Sequence, residues 1–149
     1  MLDNIKVKGA VVLTLTDAKG NVKELKKNNL VVNHGLALIA DRLKDASTPV
    51  LSHIAIGTSG VAPATGNVAL NTEVARVAID SVTTVTETVA GDTIQYVATF
   101  PPGTGTGAIV EAAILNAASN GIMLSRIAFG VINKNALDSL AITWKISIV

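Results

Sequence analysis

Leu51-Ser52-His53-Ile54-Ala55-Ile56 reads as a strand. At Gly57 it breaks into Gly57-Thr58-Ser59-Gly60-Val61-Ala62-Pro63-Ala64-Thr65-Gly66, a loop of small, polar and turn-forming residues. Leu70-Asn71-Thr72-Glu73-Val74-Ala75-Arg76 closes the loop and enters a second strand. Only one helix candidate precedes this stretch, and nearly everything after it alternates as sheet does. The strand–loop–strand unit therefore sets the expectation of an all-β chain.

Working outward, the last segment has the cleanest alternation. Leu140, Ile142, Trp144, Ile146 and Ile148 fall on one side, and Ala141, Thr143, Lys145 and Ser147 on the other. A strand of this kind is expected to seal a core. Ile5, Val7, Val11, Leu13 and Leu15 share one parity near the start, with Val12 as the exception. Asp17-Ala18-Lys19-Gly20 is a turn, and Val22 to Lys27 returns as a polar strand expected at an edge. From Val77 a long strand slips phase at Val82, which predicts a bulge or bend. Gly91-Asp92 reads as a two-residue hairpin turn that pairs Val89 with Ile94, Val85 with Ala98 and Thr83 with Phe100. Asn120-Gly121 marks a further hairpin between Ala108–Asn116 and Ile122–Ile132. Its candidate registers leave Glu111 and Arg126 on one sheet face, as direct or near partners that hold register.

Leu36, Ile39, Ala40 and Leu43 recur at i, i+3, i+4 and i+7, which predicts one amphipathic helix over residues 34–44, with Asn33 as its N-cap. The sum is an all-β fold: an eight-stranded antiparallel sandwich, jelly-roll-like, with one short helix, in a single domain over residues 1–149.

Composition narrows the function classes. Charged residues make up 15% and apolar residues 49%, with aromatics at 3%; a surface this poor in charge suits burial against partners. The absence of cysteine excludes disulfides, thiolate catalysis and cysteine-held zinc. A net charge of +1 gives no global field for nucleic acid, although Lys6, Lys8, Lys19, Lys23, Lys26 and Lys27 crowd the start of the chain. Those lysines read as a solvated, edge-protecting strand face, with a phosphate or acidic-partner patch as the other reading. Met1-Leu2-Asp3-Asn4 has no apolar leader, and no run is long enough to span a membrane.

No catalytic constellation emerges. Gly103-x-Gly105-x-x-Ala108 matches a degenerate dinucleotide fingerprint. Two prolines crowd that loop, however, and Arg126 stands near where an acid is needed. His34 and His53 have no histidine partner at ligand spacing. Thr58-Ser59-Gly60 lacks the nucleophile-elbow pattern, and no carboxylates pair within a motif for glycoside chemistry. Tyr96, Phe100, Phe129 and Trp144 lie on alternating strands and are expected in the core rather than as sugar platforms. Glu73 and Arg76, three apart, read first as a local ion pair capping the loop and second as partner recognition. No enzyme activity, metal or cofactor is expected.

An ordered set of short segments carries a resemblance. It comprises Asn33-His34-Gly35-Leu36-Ala37-Leu38-Ile39-Ala40, His53-Ile54-Ala55-Ile56-Gly57-Thr58, Thr72-Glu73-Val74-Ala75-Arg76, Glu111-Ala112-Ala113-Ile114-Leu115-Asn116 and Leu140-Ala141-Ile142-Thr143-Trp144. Over residues 30–149 this set resembles small virion structural proteins of tailed bacteriophages, and its middle resembles the collar region of phage tail fibres. In collar sequences the Gly-Thr region is often Gly-Asp-Gly; here it is Gly57-Thr58-Ser59-Gly60, and no fibre shaft follows. The resemblance thus implies a capsid decoration (cement) protein on the virion exterior, made in the host cytoplasm. It would bind the major capsid protein as a homo-oligomer, a dimer or trimer, with neither nucleic acid nor membrane as partner. The alternative is a tail or collar adaptor that binds tail proteins. The candidate contact residues are Gly57, Thr58, Ser59, Gly60, Pro63, Glu73, Arg76, Pro101, Pro102 and Gly103, together with the basic first hairpin.

Overall fold

The computed structural model describes residues 4–149; Met1-Leu2-Asp3, read above for a leader, lie outside them. Ten strands and one helix follow in the order β1 (Val7–Thr16), β2 (Val22–Asn28), β3 (Leu30–Val31), α1 (Asn33–Lys44), β4 (His53–Gly57), β5 (Glu73–Ala78), β6 (Ser81–Val85), β7 (Thr93–Phe100), β8 (Gly107–Leu115), β9 (Met123–Lys134) and β10 (Ser139–Ile148). They form two antiparallel five-stranded sheets, β2-β1-β10-β7-β6 and β3-β9-β8-β4-β5. The all-β sandwich is thus the fold. The strands number ten rather than eight, because two segments divide in ways that a period cannot reveal.

The first division lies in the long segment from Val77. The expected bend is a change of sheet: β5 pairs with β4, and β6 pairs with β7 in the other sheet. The Asp80 amide donates to the Val97 carbonyl at the crossing. The second is β3, two residues that carry the chain from the edge of the first sheet to β9.

β10 lies at the centre of its sheet, between β1 and β7. Its Leu140, Ile142, Trp144 and Ile146 are buried, as the alternation predicts. They meet Val11, Leu13 and Leu15 of β1, Phe100 and Ala98 of β7, and Ile54, Ile56, Ala112 and Ile114 of the facing sheet. Fully burying each large apolar side chain contributes about 1.5–3 kcal/mol. Trp144 and Phe100 are fully buried, while Tyr96 and Phe129 pack partly buried against the same core.

Two local expectations change. The β6–β7 register pairs Val85 with Thr93, Thr84 with Ile94 and Val82 with Tyr96. The Gly91-Asp92 turn is therefore not a two-residue hairpin with the register written above. Asp92 instead accepts the amides of Glu87, Thr88 and Val89 at 2.8–2.9 Å, which closes a wider loop. These bonds hold its carboxyl well below the usual carboxylate range.

The helix begins at Asn33, and its N-cap is Val32, without a side-chain cap. Asn33 is therefore not the cap; its amide donates to the Thr65 carbonyl at 2.8 Å. The buried face is Gly35 and Leu38, with Ile39 partly buried, whereas Leu36 and Leu43 are 52% and 84% exposed. Gly35 sets this rotation. A Cβ there would collide with the Leu124 carbonyl, so the helix backbone rests directly on β9.

Candidate functional site

The loop between β4 and β5 is folded back over the outer face of its own sheet. The Thr58 amide donates to the Thr72 carbonyl at 3.0 Å, so the loop's ends meet in the manner of an Ω-loop. Beneath it, Val32, Ala55, Leu70, Ala113, Leu115 and Met123 form a small second apolar cluster. Beside that cluster lie Glu111 of β8 and Arg126 of β9, both fully buried.

The β8–β9 register pairs Glu111 with Ala128 and Ala113 with Arg126, which makes Glu111 and Arg126 diagonal neighbours on one face. Arg126 Nε and Nη2 donate to Glu111 Oε2 at 3.1 and 2.8 Å. Neither group ends there. Glu111 also accepts the amides of Thr72 (2.8 Å), Asn71 (3.2 Å) and Ser59 (3.3 Å), so one carboxylate holds both legs of the loop. Arg126 reaches further up, to the Val61 carbonyl at 2.8 Å and Asn67 Oδ1 at 3.3 Å. A buried ion pair repays its desolvation only when its remaining donors and acceptors are satisfied. Here the loop backbone satisfies them. Gly57 has to be glycine at this point, because a Cβ there would meet the Thr72 carbonyl and Glu111 Oε1.

The loop therefore has a fixed base and an uncovered top. Val61 and Val68 are 58% and 55% exposed, and Gly60 and Gly66 have open space around them. Of the sequence candidates, Gly57 is buried as a structural element, Ser59 and Pro63 are half-buried, and Thr58 and Gly60 are exposed.

Pro101, Pro102 and Gly103 are exposed in the β7–β8 crossover. That loop packs against β4 and β5, since a side chain at Gly105 would run into Ile56 and Ala75. It is laced to the β9–β10 turn by Gly103 N to Ala136 O (2.8 Å) and by Lys134 Nζ to Pro101 O (3.0 Å). Burial pushes the Lys134 ammonium down from its ordinary value, with Asp138 opposing. The two loops approach where the first begins: a Cβ at Gly107 would lie 4.0 Å from the Thr58 side chain.

Glu73 and Arg76 do not join them. Arg76 holds Glu73 through Nη2 at 2.6 Å and Nε at 3.1 Å. Its Nη1 donates to the Ala117 and Asn120 carbonyls of the β8–β9 turn. The pair is a local clamp, as its first reading had it, but on that turn rather than on the loop's tip.

The other sequence signals resolve simply. Gly103-x-Gly105-x-x-Ala108 runs from the β7–β8 loop into β8, so it leads into a strand and not a helix. His53 Nδ1 lies 2.8 Å from Ser52 Oγ. Among the described residues no group of three His, Asp or Glu converges to hold a metal, and no helix is long and apolar enough to cross a membrane. Sequence reasoning missed Lys134 and the loop amides on Glu111. A buried lysine at a strand end has no local pattern, and backbone amide donors are not written in side chains.

No protein-family model, curated protein or solved structure matches the chain.

Proposed function

We propose that the protein is a non-enzymatic structural component of a tailed-phage virion, a decoration protein that stabilises the head by binding across capsomers. The observation that carries this reading beyond the sequence resemblance is the loop held on the buried Glu111–Arg126 pair. A loop fixed before contact loses little entropy on docking, and its top offers the exposed Val61 and Val68. Many copies, each adding a modest contact, give large collective stability. Four of the groups with perturbed titration have structural employment. Asp17, Asp41 and Asp92 each accept bonds within their own turns, and Lys134 laces two crossovers.

The collar-like middle segment favours a second reading, an adaptor joining a fibre to the tail. Copy number per purified particle separates the two: on the order of hundreds of copies support decoration and about a dozen support an adaptor, as the resemblance implies. Removing Gly60–Gly66 outright is an unsuitable probe, because it deletes the Val61 carbonyl that Arg126 needs. Val61→Ser with Val68→Ser keeps the backbone acceptors. We expect it to fold normally and to be retained less well on particles; undiminished retention rejects the loop as a contact.

A further inference from the structure

The two edges of the first sheet differ in kind. β6 (Ser81–Val85) carries no charged residue, whereas β2 (Val22–Asn28) carries Lys23, Glu24, Lys26 and Lys27. Lysines that served only to deter edge pairing would be wanted equally on β6, which is also exposed. The placement of the β2 lysines is also specific. The β1–β2 register sets Lys23 opposite Leu15, Leu25 opposite Leu13 and Lys27 opposite Val11. Leu15, Leu13 and Val11 are core residues, so Lys23, Leu25 and Lys27 share the inward face.

That face is not closed. Between β2 and β9 runs a groove of about 240 Å³ lined by Leu15, Lys23, Leu25, Val131 and Ile132. A second groove, of about 500 Å³, lies between Lys27 and Leu30 on one side and Pro63 and Phe129 on the other. β3 pairs with β9 only at Ser125 and Arg126, so it leaves this side of the sandwich open. Neither Lys23 nor Lys27 makes an ion pair among the described residues.

We propose that β2 is the docking edge for an extended, acidic segment of a partner protein, which adds as a sixth strand to the first sheet. The segment would place carboxylates opposite Lys23 and Lys27 and an apolar side chain between them, beside Leu25 and over the groove. Opposite charges directly across a strand pair stabilise it, and the β2 backbone supplies the free donors and acceptors. A second copy fits less well: two-fold pairing centred on Leu25 sets Lys23 against Lys27 twice, and like charges directly opposite destabilise a strand pair. Single-stranded nucleic acid could answer the lysines, but it makes no use of a strand's backbone ladder. The proposal rests on the virion-binding reading and names the partner's chemistry.

The test uses the purified chain and the fluorescent peptide Thr-Glu-Thr-Val-Thr-Glu-Thr, followed by anisotropy. The comparators are the same peptide with both Glu replaced by Lys, the same peptide N-methylated at alternate amides, and a seven-nucleotide oligo-dT. We expect saturable binding of the Glu peptide and binding at least about tenfold weaker for each comparator. The double variant Lys23→Glu, Lys27→Glu, at two exposed positions, should keep its circular dichroism and reverse the preference toward the Lys peptide. Equal binding of the N-methylated peptide, tighter binding of oligo-dT, absence of saturable binding below millimolar, or a free-protein dimer that the double variant dissociates would each overturn the proposal. Retention on particles without peptide binding overturns this edge alone. Peptide binding by a protein absent from particles overturns the virion reading and leaves the edge standing.

Discussion

The two faces of the β3-β9-β8-β4-β5 sheet are buried by different means. Its inner face meets the other sheet through Ile54, Ile56, Ala112, Ile114 and Ile127, a mainly apolar contact spread over many side chains. Its outer face is roofed by a loop, and that roof hangs on one carboxylate and one guanidinium. Apolar burial is spread over many side chains, so no single one decides the register. The charged arrangement concentrates three loop amides on Glu111 and a carbonyl and an amide oxygen on Arg126. The first arrangement makes a fold, and the second gives a loop one conformation.

Substitutions should separate the two. Trp144→Ala or Phe100→Ala, at fully buried positions, should cost about 3–5 kcal/mol and lower the denaturation midpoint of the whole molecule. Glu111→Gln should cost about 3 kcal/mol, because it leaves Arg126 buried without its counter-charge. Hydrogen exchange should then show residues 58–72 deprotected first, with β10 still protected; simultaneous deprotection of both would mean that the roof and core are one cooperative unit. Replacing both partners, as Glu111→Leu with Arg126→Met, should cost less than the sum of the single changes, a coupling that a double-mutant cycle reads directly.

A smaller effect is expected at the Arg76 clamp. Arg76→Ala should cost about 1 kcal/mol, since Glu73 is partly exposed, and should loosen the 116–122 turn without disturbing the loop. The smallest effect is in acid. Bonds from Thr48 hold the Asp41 carboxyl down at about 2, against an ordinary 3.8. A depressed carboxylate contributes stability above its unfolded value and loses it as pH falls through its folded value. Stability should therefore decline from about pH 4 toward pH 2, and Asp41→Asn should flatten that slope in acid titration.

Much of this was legible because alternation reports burial directly. Leu140 to Ile146 gave the central strand, and the shared face of Glu111 and Arg126 followed from the parity of one hairpin. The change of sheet at Asp80 was not legible, because β5 and β6 are both ordinary strands and only their partners differ. The helix face was misjudged because Gly35 contributes contact through its missing side chain, which a count of apolar residues passes over. The Gly91-Asp92 register failed because a carboxylate capturing three amides outweighs a dipeptide turn preference. Of the candidate contacts, the loop residues stayed together, while Glu73 and Arg76 proved to face another turn.

The pairing of β1 with β10 joins Val7 to Ile148, nearly the full reach of the described chain. Such a closure cannot form by local zippering, so the conformational search it demands slows its making. If unfolding has to pull β10 from between two neighbours at once, the molecule's endurance will be measured in waiting time more than in depth of the energy well.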